Sequence, residues 1–145
     1  MQELIETPLS ADELAVRYRA LCADPCYANV PGKIELDLWG RMVMSPASNY
    51  HSAVQTALAS RLAAMGGRAF VEASVVTTAG ALLADVAWAS DEFMRARGFE
   101  TPYMQSPELC VEVVSPSNSR KVEFHGREGL MPRSQYAVDV ADIFS

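Results

Sequence analysis

Two apolar runs of this chain carry a carboxylate in their interior: Leu83-Ala84-Asp85-Val86-Ala87-Trp88 and Cys110-Val111-Glu112-Val113-Val114. Runs rich in Val, Leu and Trp and bounded by turn signals form strands, and such strands build cores. An ionised carboxylate removed from water without a partner is expensive. Each acid must therefore reach solvent, pair with a cation, hold a proton or bind a metal ion. Either one alone could point to the solvated face of its strand. If adjacent strands bring both within about 4 Å, they repel by roughly 4 kcal/mol at an effective dielectric of about 20. A divalent cation between them turns that cost into binding.

Around these runs the pattern is that of one α+β domain, residues 1–145. A chain of 145 residues can withdraw roughly 68–70% of its unfolded surface from water without staples. Ser10 with Glu13 makes a capping box and Leu9 with Leu14 a hydrophobic staple, so a helix runs from Ala11 to about Leu21. Its apolar stripe is Leu14, Tyr18 and Leu21, and Pro25 stops it. Lys33 to Ser45 reads as two short strands joined at Trp39-Gly40 and closed by Pro46. Ser48 or Asn49 caps a second helix with the stripe Val54, Leu58, Leu62 and Met65, and Gly66-Gly67 ends it. Strands come next at Ala69 to Thr78, Leu82 to Ala89 and Leu109 to Val114, with Ala79-Gly80 turning the first into the second. Arg97 to Pro107 reads as a surface loop, and Asp91, Glu92 and Glu108 as solvated loop acids. Trp39, Trp88 and Phe70 are assigned to packing, since aromatic side chains in strands are usually core. A last strand is expected at Tyr136 to Val140. Gly126, Gly129 and Pro132 disfavour a regular helix before it, at about 1 kcal/mol per glycine and about 3 for the proline.

The chain has 18 acidic and 12 basic side chains, a formal charge of −6. That balance argues against a protein whose main task is nonspecific electrostatic binding of nucleic acid, which needs clustered Lys and Arg. A cation bound among carboxylates would change the local field, and a dimer can present one basic face. The stretch Ala79 to Ala89 is about half the length of a bilayer span and contains Asp85, so no membrane association is expected. The start Met1-Gln2-Glu3-Leu4-Ile5-Glu6 is not an export signal. Three cysteines, Cys22, Cys26 and Cys110, are too few for a disulfide framework, and Cys22 and Cys26 lack a second ligand pair for zinc, so a cytoplasmic location is expected.

The order Glu35-Leu36, Met44-Ser45-Pro46, His51, Asp85-Val86-Ala87 and Val111-Glu112-Val113-Val114-Ser115-Pro116-Ser117 resembles the Uma-two family of restriction-endonuclease-like proteins. That family lies within the PD-(D/E)XK nuclease superfamily. The resemblance covers about residues 9 to 121, and Glu-Val-x-Ser-Pro-Ser is its most specific part. It implies a restriction-endonuclease-like core, a central mixed β-sheet flanked by helices, here with an extra N-terminal helix and hairpin. It also implies that Asp85 and Glu112 hold a divalent ion, Mg²⁺ or Mn²⁺, together with the backbone carbonyl of Val113.

The resemblance further implies a metal-dependent endonuclease that hydrolyses DNA phosphodiester bonds, with a homodimer as the expected assembly. Ala84 stands where the family usually has Pro, and Val114 where the superfamily's Lys would be. Relatives carry that Lys on the following helix, so Lys121 is the nearest replacement, with Arg120 and Arg127 behind it. His51 at the start of the second helix, Gln55 one turn on and Glu35 are supporting candidates; His51 and Glu35 could equally be capping, packing or surface residues. Beyond Lys121 the family pattern fades, and residues 122–145 read as atypical or truncated. The alternative is a homodimeric interaction module of the same fold that has lost catalysis.

Overall fold

The computed structural model describes residues 7–30, 32–46 and 48–113, together with the backbone of 121–126 and 135–139. Its elements are α1 (Ala11–Ala23), β1 (Lys33–Asp37), β2 (Met42–Ser45), α2 (Asn49–Ala63), β3 (Arg68–Thr77), β4 (Gly80–Ala89), α3 (Asp91–Arg97), β5 (Leu109–Val113), β6 (Lys121–Gly126) and β7 (Gln135–Asp139). The strands join in one sheet, and all the paired strands are antiparallel. A single parallel bridge, Val75 to Tyr103, is added outside them.

Local chemistry explains the helices. In α1 the Ser10 hydroxyl accepts from the Glu13 N–H and the Glu13 carboxylate accepts from the Ser10 N–H, so two orphan donors of the first turn are satisfied. The helix runs two residues past Leu21, and Asp24 then caps a short 3₁₀ turn, Pro25–Tyr27. In α2 Ser48 is the cap, accepting from the His51 N–H. Val54, Leu58 and Leu62 are buried as their spacing predicts, but Met65 is 72% exposed, because the helix ends at Ala63 before the stripe completes another turn.

A third helix corrects the sequence reading. Asp91 and Glu92 are not loop acids: they occupy the first turn of α3, where a helix favours negative charge, and Arg95 and Arg97 occupy its last. Ser90 caps it by accepting from the Phe93 N–H, and Glu108 accepts from both the backbone N–H and the hydroxyl of Ser90. Glu108 thus ties the entry of β5 to the start of α3. Trp39 also departs from expectation. It is 40% exposed at the hairpin tip, with the Arg41 guanidinium 5.0 Å from its ring centre, whereas Trp88 packs against the α2 cluster and Phe70 meets Phe99 and Tyr103 edge-on.

β4 is the strand on which everything else is hung. Along one edge it pairs with β3 over nearly its whole length, turning at Thr78-Ala79. Its other edge is shared. β1 pairs at Gly80 and Ala81, β5 pairs at Val86 to Trp88, and between them Leu82 to Asp85 pair with neither. The two neighbours therefore diverge and leave a fork in the sheet. Side chains alternate along a strand: Ala81 and Leu83 pack with Leu14, Ala15 and Tyr18 of α1. Val86 packs with Val111, Val113 and the Val54, Leu58, Leu62 stripe of α2 on the opposite face.

The closing end of the fork depends on Gly80. Its φ of 137° belongs to the region that favours glycine, and a Cβ there would lie 2.0 Å from the Leu36 carbonyl oxygen. β1 can approach β4 only because that side chain is absent. Gly80→Ala is therefore expected to cost more than about 1 kcal/mol in urea unfolding, combining the wrong φ with the clash. A loss within experimental error would show that β1 does not need this approach.

Candidate active site

Continuing the β4–β5 register one step beyond Val86–Val111 sets Asp85 directly across from Glu112. Residues so placed share a face of the sheet. Val111 and Val113 turn toward α2, and Glu112 alternates with them along β5. The two acids singled out by the apolar runs thus converge at the fork.

Asp85 is 2% exposed, yet every polar side-chain atom of it is satisfied. One oxygen, Oδ2, accepts from the backbone N–H of Val113 at 2.6 Å. The other, Oδ1, receives Lys33 Nζ at 3.1 Å and lies 3.1 Å from His51 Nε2. Its backbone carbonyl accepts from Gln55 Nε2 at 3.1 Å. A buried anion with a charged donor and a main-chain donor is the arrangement that makes such burial tolerable.

Lys33 is the residue that sequence reasoning missed. It opens β1 on the same face as Glu35, two positions on, and its Nζ lies 3.1 Å from Asp85, 3.6 Å from Glu112 and 3.8 Å from Glu35. The chain has two lysines, and this one sits at the focus of three carboxylates. Glu35 is no ordinary surface acid: besides meeting Lys33, its Oε2 accepts from the Leu83 N–H at 2.8 Å, on the stretch of β4 left unpaired by the fork. A signal was available in sequence, a Lys and a Glu alternating on one strand, but nothing there told which acids they would face. Lys121 begins a strand rather than a helix, its backbone paired with Asp139. Its side chain, with Val114, Arg120 and Arg127, lies outside the described residues.

Burial and the neighbouring carboxylates together set the local electrostatics. Burial acts to lower the pKa of Lys33, but the charges of Glu112, Asp85 and Glu35 and the hydrogen bond to Asp85 together outweigh it, so the ammonium is held above its ordinary value. Glu112 is pushed up to about 8, first by burial and then by the Asp85 charge, with Lys33 only partly compensating. Lys33 thus brings one positive charge to three carboxylates.

An α+β sheet flanked by helices, with two acids from adjacent strands meeting at a fork, defines the restriction-endonuclease-like class. The crystal structure of "a putative nuclease belonging to DUF820" from Anabaena variabilis ATCC 29413 shares this fold with a TM-score of 0.55 at 13% identity, over 94% of this chain and 98% of that one. The family model of Uma2, described as "Putative restriction endonuclease", matches residues 16–129, a span that includes Lys33, Glu35, His51, Asp85 and Glu112. The chain belongs to the Uma2 family. No curated protein matches it.

The raised Glu112 carboxyl makes a pH prediction. A carboxyl whose folded pKa lies above its unfolded value binds its proton more tightly when folded, so its share of stability is present at low pH and is lost as pH rises from about 4.5 to about 8. In metal-free buffer the urea midpoint should fall across that window, and Glu112→Gln should flatten the fall. An identical profile in the two proteins would show that Glu112 is not held protonated by folding.

Proposed function

We propose that this chain is a divalent-metal-dependent endonuclease that hydrolyses DNA phosphodiester bonds, with Asp85 and Glu112 as the metal-binding acids. The observation that carries the reading is their convergence on one cation, Lys33 Nζ, at 3.1 and 3.6 Å. The donor set fits a hard ion such as Mg²⁺ or Mn²⁺, being all carboxylate oxygen, with the Val113 carbonyl as the third donor that the family pattern suggests. Among the described residues no three His, Cys, Asp or Glu side chains form a ready-made metal cage. That suits an ion which keeps several waters and is completed by substrate oxygens. When bound, the ion supplies Lewis acidity toward a phosphate oxygen and toward water.

The chain's own residues do the rest. Val113 N–H and His51 Nε2 fix the two oxygens of Asp85, so the carboxylate presents one orientation. Glu35 holds the unpaired backbone of β4 and helps to retain Lys33. Lys33 is the cation placed to meet charge developing on the phosphate, the task that the family pattern gives to Lys121. Cutting both strands of a duplex needs two such sites, so the proposed assembly is a homodimer. Three cysteines without disulfides fit the cytoplasm as its location.

Supercoiled plasmid incubated with Mg²⁺ or Mn²⁺ should be nicked by the wild type and spared when EDTA is added. Asp85→Ala should abolish nicking, and nicking equal to the wild type would reject Asp85 as a ligand. Lys33→Met should slow it by roughly a hundredfold, the scale on which removing one preorganised donor acts. Lys121→Met should leave it nearly unchanged. The reverse pattern would return the role to Lys121.

A further inference from the structure

The β3–β4 ladder is continuous except at one place. Val71 pairs with Val86 and Ala73 with Ala84, so Glu72 stands across from Asp85, but that rung is passed over. Glu72 has φ 57°, the sole non-glycine residue with positive φ among those described, and its side chain is exposed. A left-handed residue turns its peptide groups away from the ladder, at a cost of about 1–2 kcal/mol for a side-chain-bearing residue. On the other edge of β4 the ladder with β5 also stops at Val86, and the Val113 N–H bonds to the Asp85 side chain instead of to the strand backbone. At Asp85, then, neither neighbouring strand pairs with β4. The freed carbonyl is taken by Gln55 Nε2, from a side chain only 5% exposed in the middle of α2.

Buried glutamine in a helix facing an apolar cluster is costly unless its amide is used. Here it sits one turn before Leu58 and one turn after His51, on the helix whose first turn also reaches the Asp85 carboxylate. We propose that Gln55 is a positioning residue for the Asp85 carboxylate, acting through the Asp85 carbonyl, which faces the edge of β4 that the fork leaves without a strand partner. The inference rests on Asp85 being a metal ligand, and it deepens that reading by naming what aims the ligand.

The test uses Mn²⁺ alone as the probe, by calorimetry, with amide exchange at Val113 as a metal-free readout of how firmly Asp85 Oδ2 is held. Gln55→Met keeps side-chain length and removes the donor. It should weaken Mn²⁺ binding by about tenfold, the lower end of what loss of an outer partner of a ligand costs, and should speed Val113 exchange. Leu58→Ala, which destabilises the same helix without touching Asp85, should leave Mn²⁺ affinity within about twofold of wild type. Unchanged affinity and exchange in Gln55→Met, or equal loss in Leu58→Ala, overturns the proposal while leaving Asp85 as a ligand. Absence of Mn²⁺ binding by the wild type overturns both readings.

Discussion

Asp85 is a carboxylate almost sealed from water in the central strand of the sheet, and the rest of the architecture can be understood as what such a group requires. Leaving it unpaired would cost several kcal/mol. Its partners come from three elements distant in sequence: Lys33 from β1, His51 from α2 and the Val113 N–H from β5. None of these elements can be displaced without exposing or orphaning the acid. The position of the hairpin, the start of α2 and the end of β5 are tied to one side chain.

Neutralisation is nevertheless incomplete. Lys33 is one positive charge among Asp85, Glu112 and Glu35, and at an effective dielectric of about 20 each attraction near 4 Å is worth about 4 kcal/mol, as is each repulsion between acids at that distance. The Lys33 ammonium gains from three neighbours, so it stays charged despite burial. Burial first, and then the Asp85 charge, hold the Glu112 carboxyl far above the ordinary range, with Lys33 only partly compensating. A structural ion pair would be built with matched charges. Three acids around one lysine are an unmatched set, and this asymmetry distinguishes the fork from a simple ion pair.

The readable parts of this fold were those written in local chemistry. The capping box at Ser10, the Ser48 cap, the hairpin at Trp39-Gly40 and the strand runs need only neighbours within a few residues, and they appear at those places. α3 was equally local, with a Ser cap, two acids in its first turn and two arginines in its last, but its seven residues show too little apolar periodicity to stand out from a loop. Asp85 and Glu112 were legible because an acid in an apolar strand breaks the core pattern. Lys33 was not, because what makes it informative is three distances to residues on other strands. Gln55 was named beside His51, but the partner of its amide, the Asp85 carbonyl, is visible only in the fold.

The two lapses in that ladder carry an argument about trade-off. A sheet is most stable when every backbone group finds a partner on the next strand, and β4 does so along β3 except at Asp85. If the lapse were a simple defect, the backbone groups there would be left to solvent or unpaired. Instead the Asp85 carbonyl is claimed by a buried glutamine, the Leu83 N–H by Glu35 and the Val113 N–H by the Asp85 carboxylate. Side chains have replaced main chain as partners at these three groups beside the fork. Side-chain partners cost conformational entropy that a regular ladder would not, so the arrangement is locally inferior as a way to hold a sheet. It makes sense where the chain must hold two acids on one face with a gap beside them, since a fully paired ladder would close that gap.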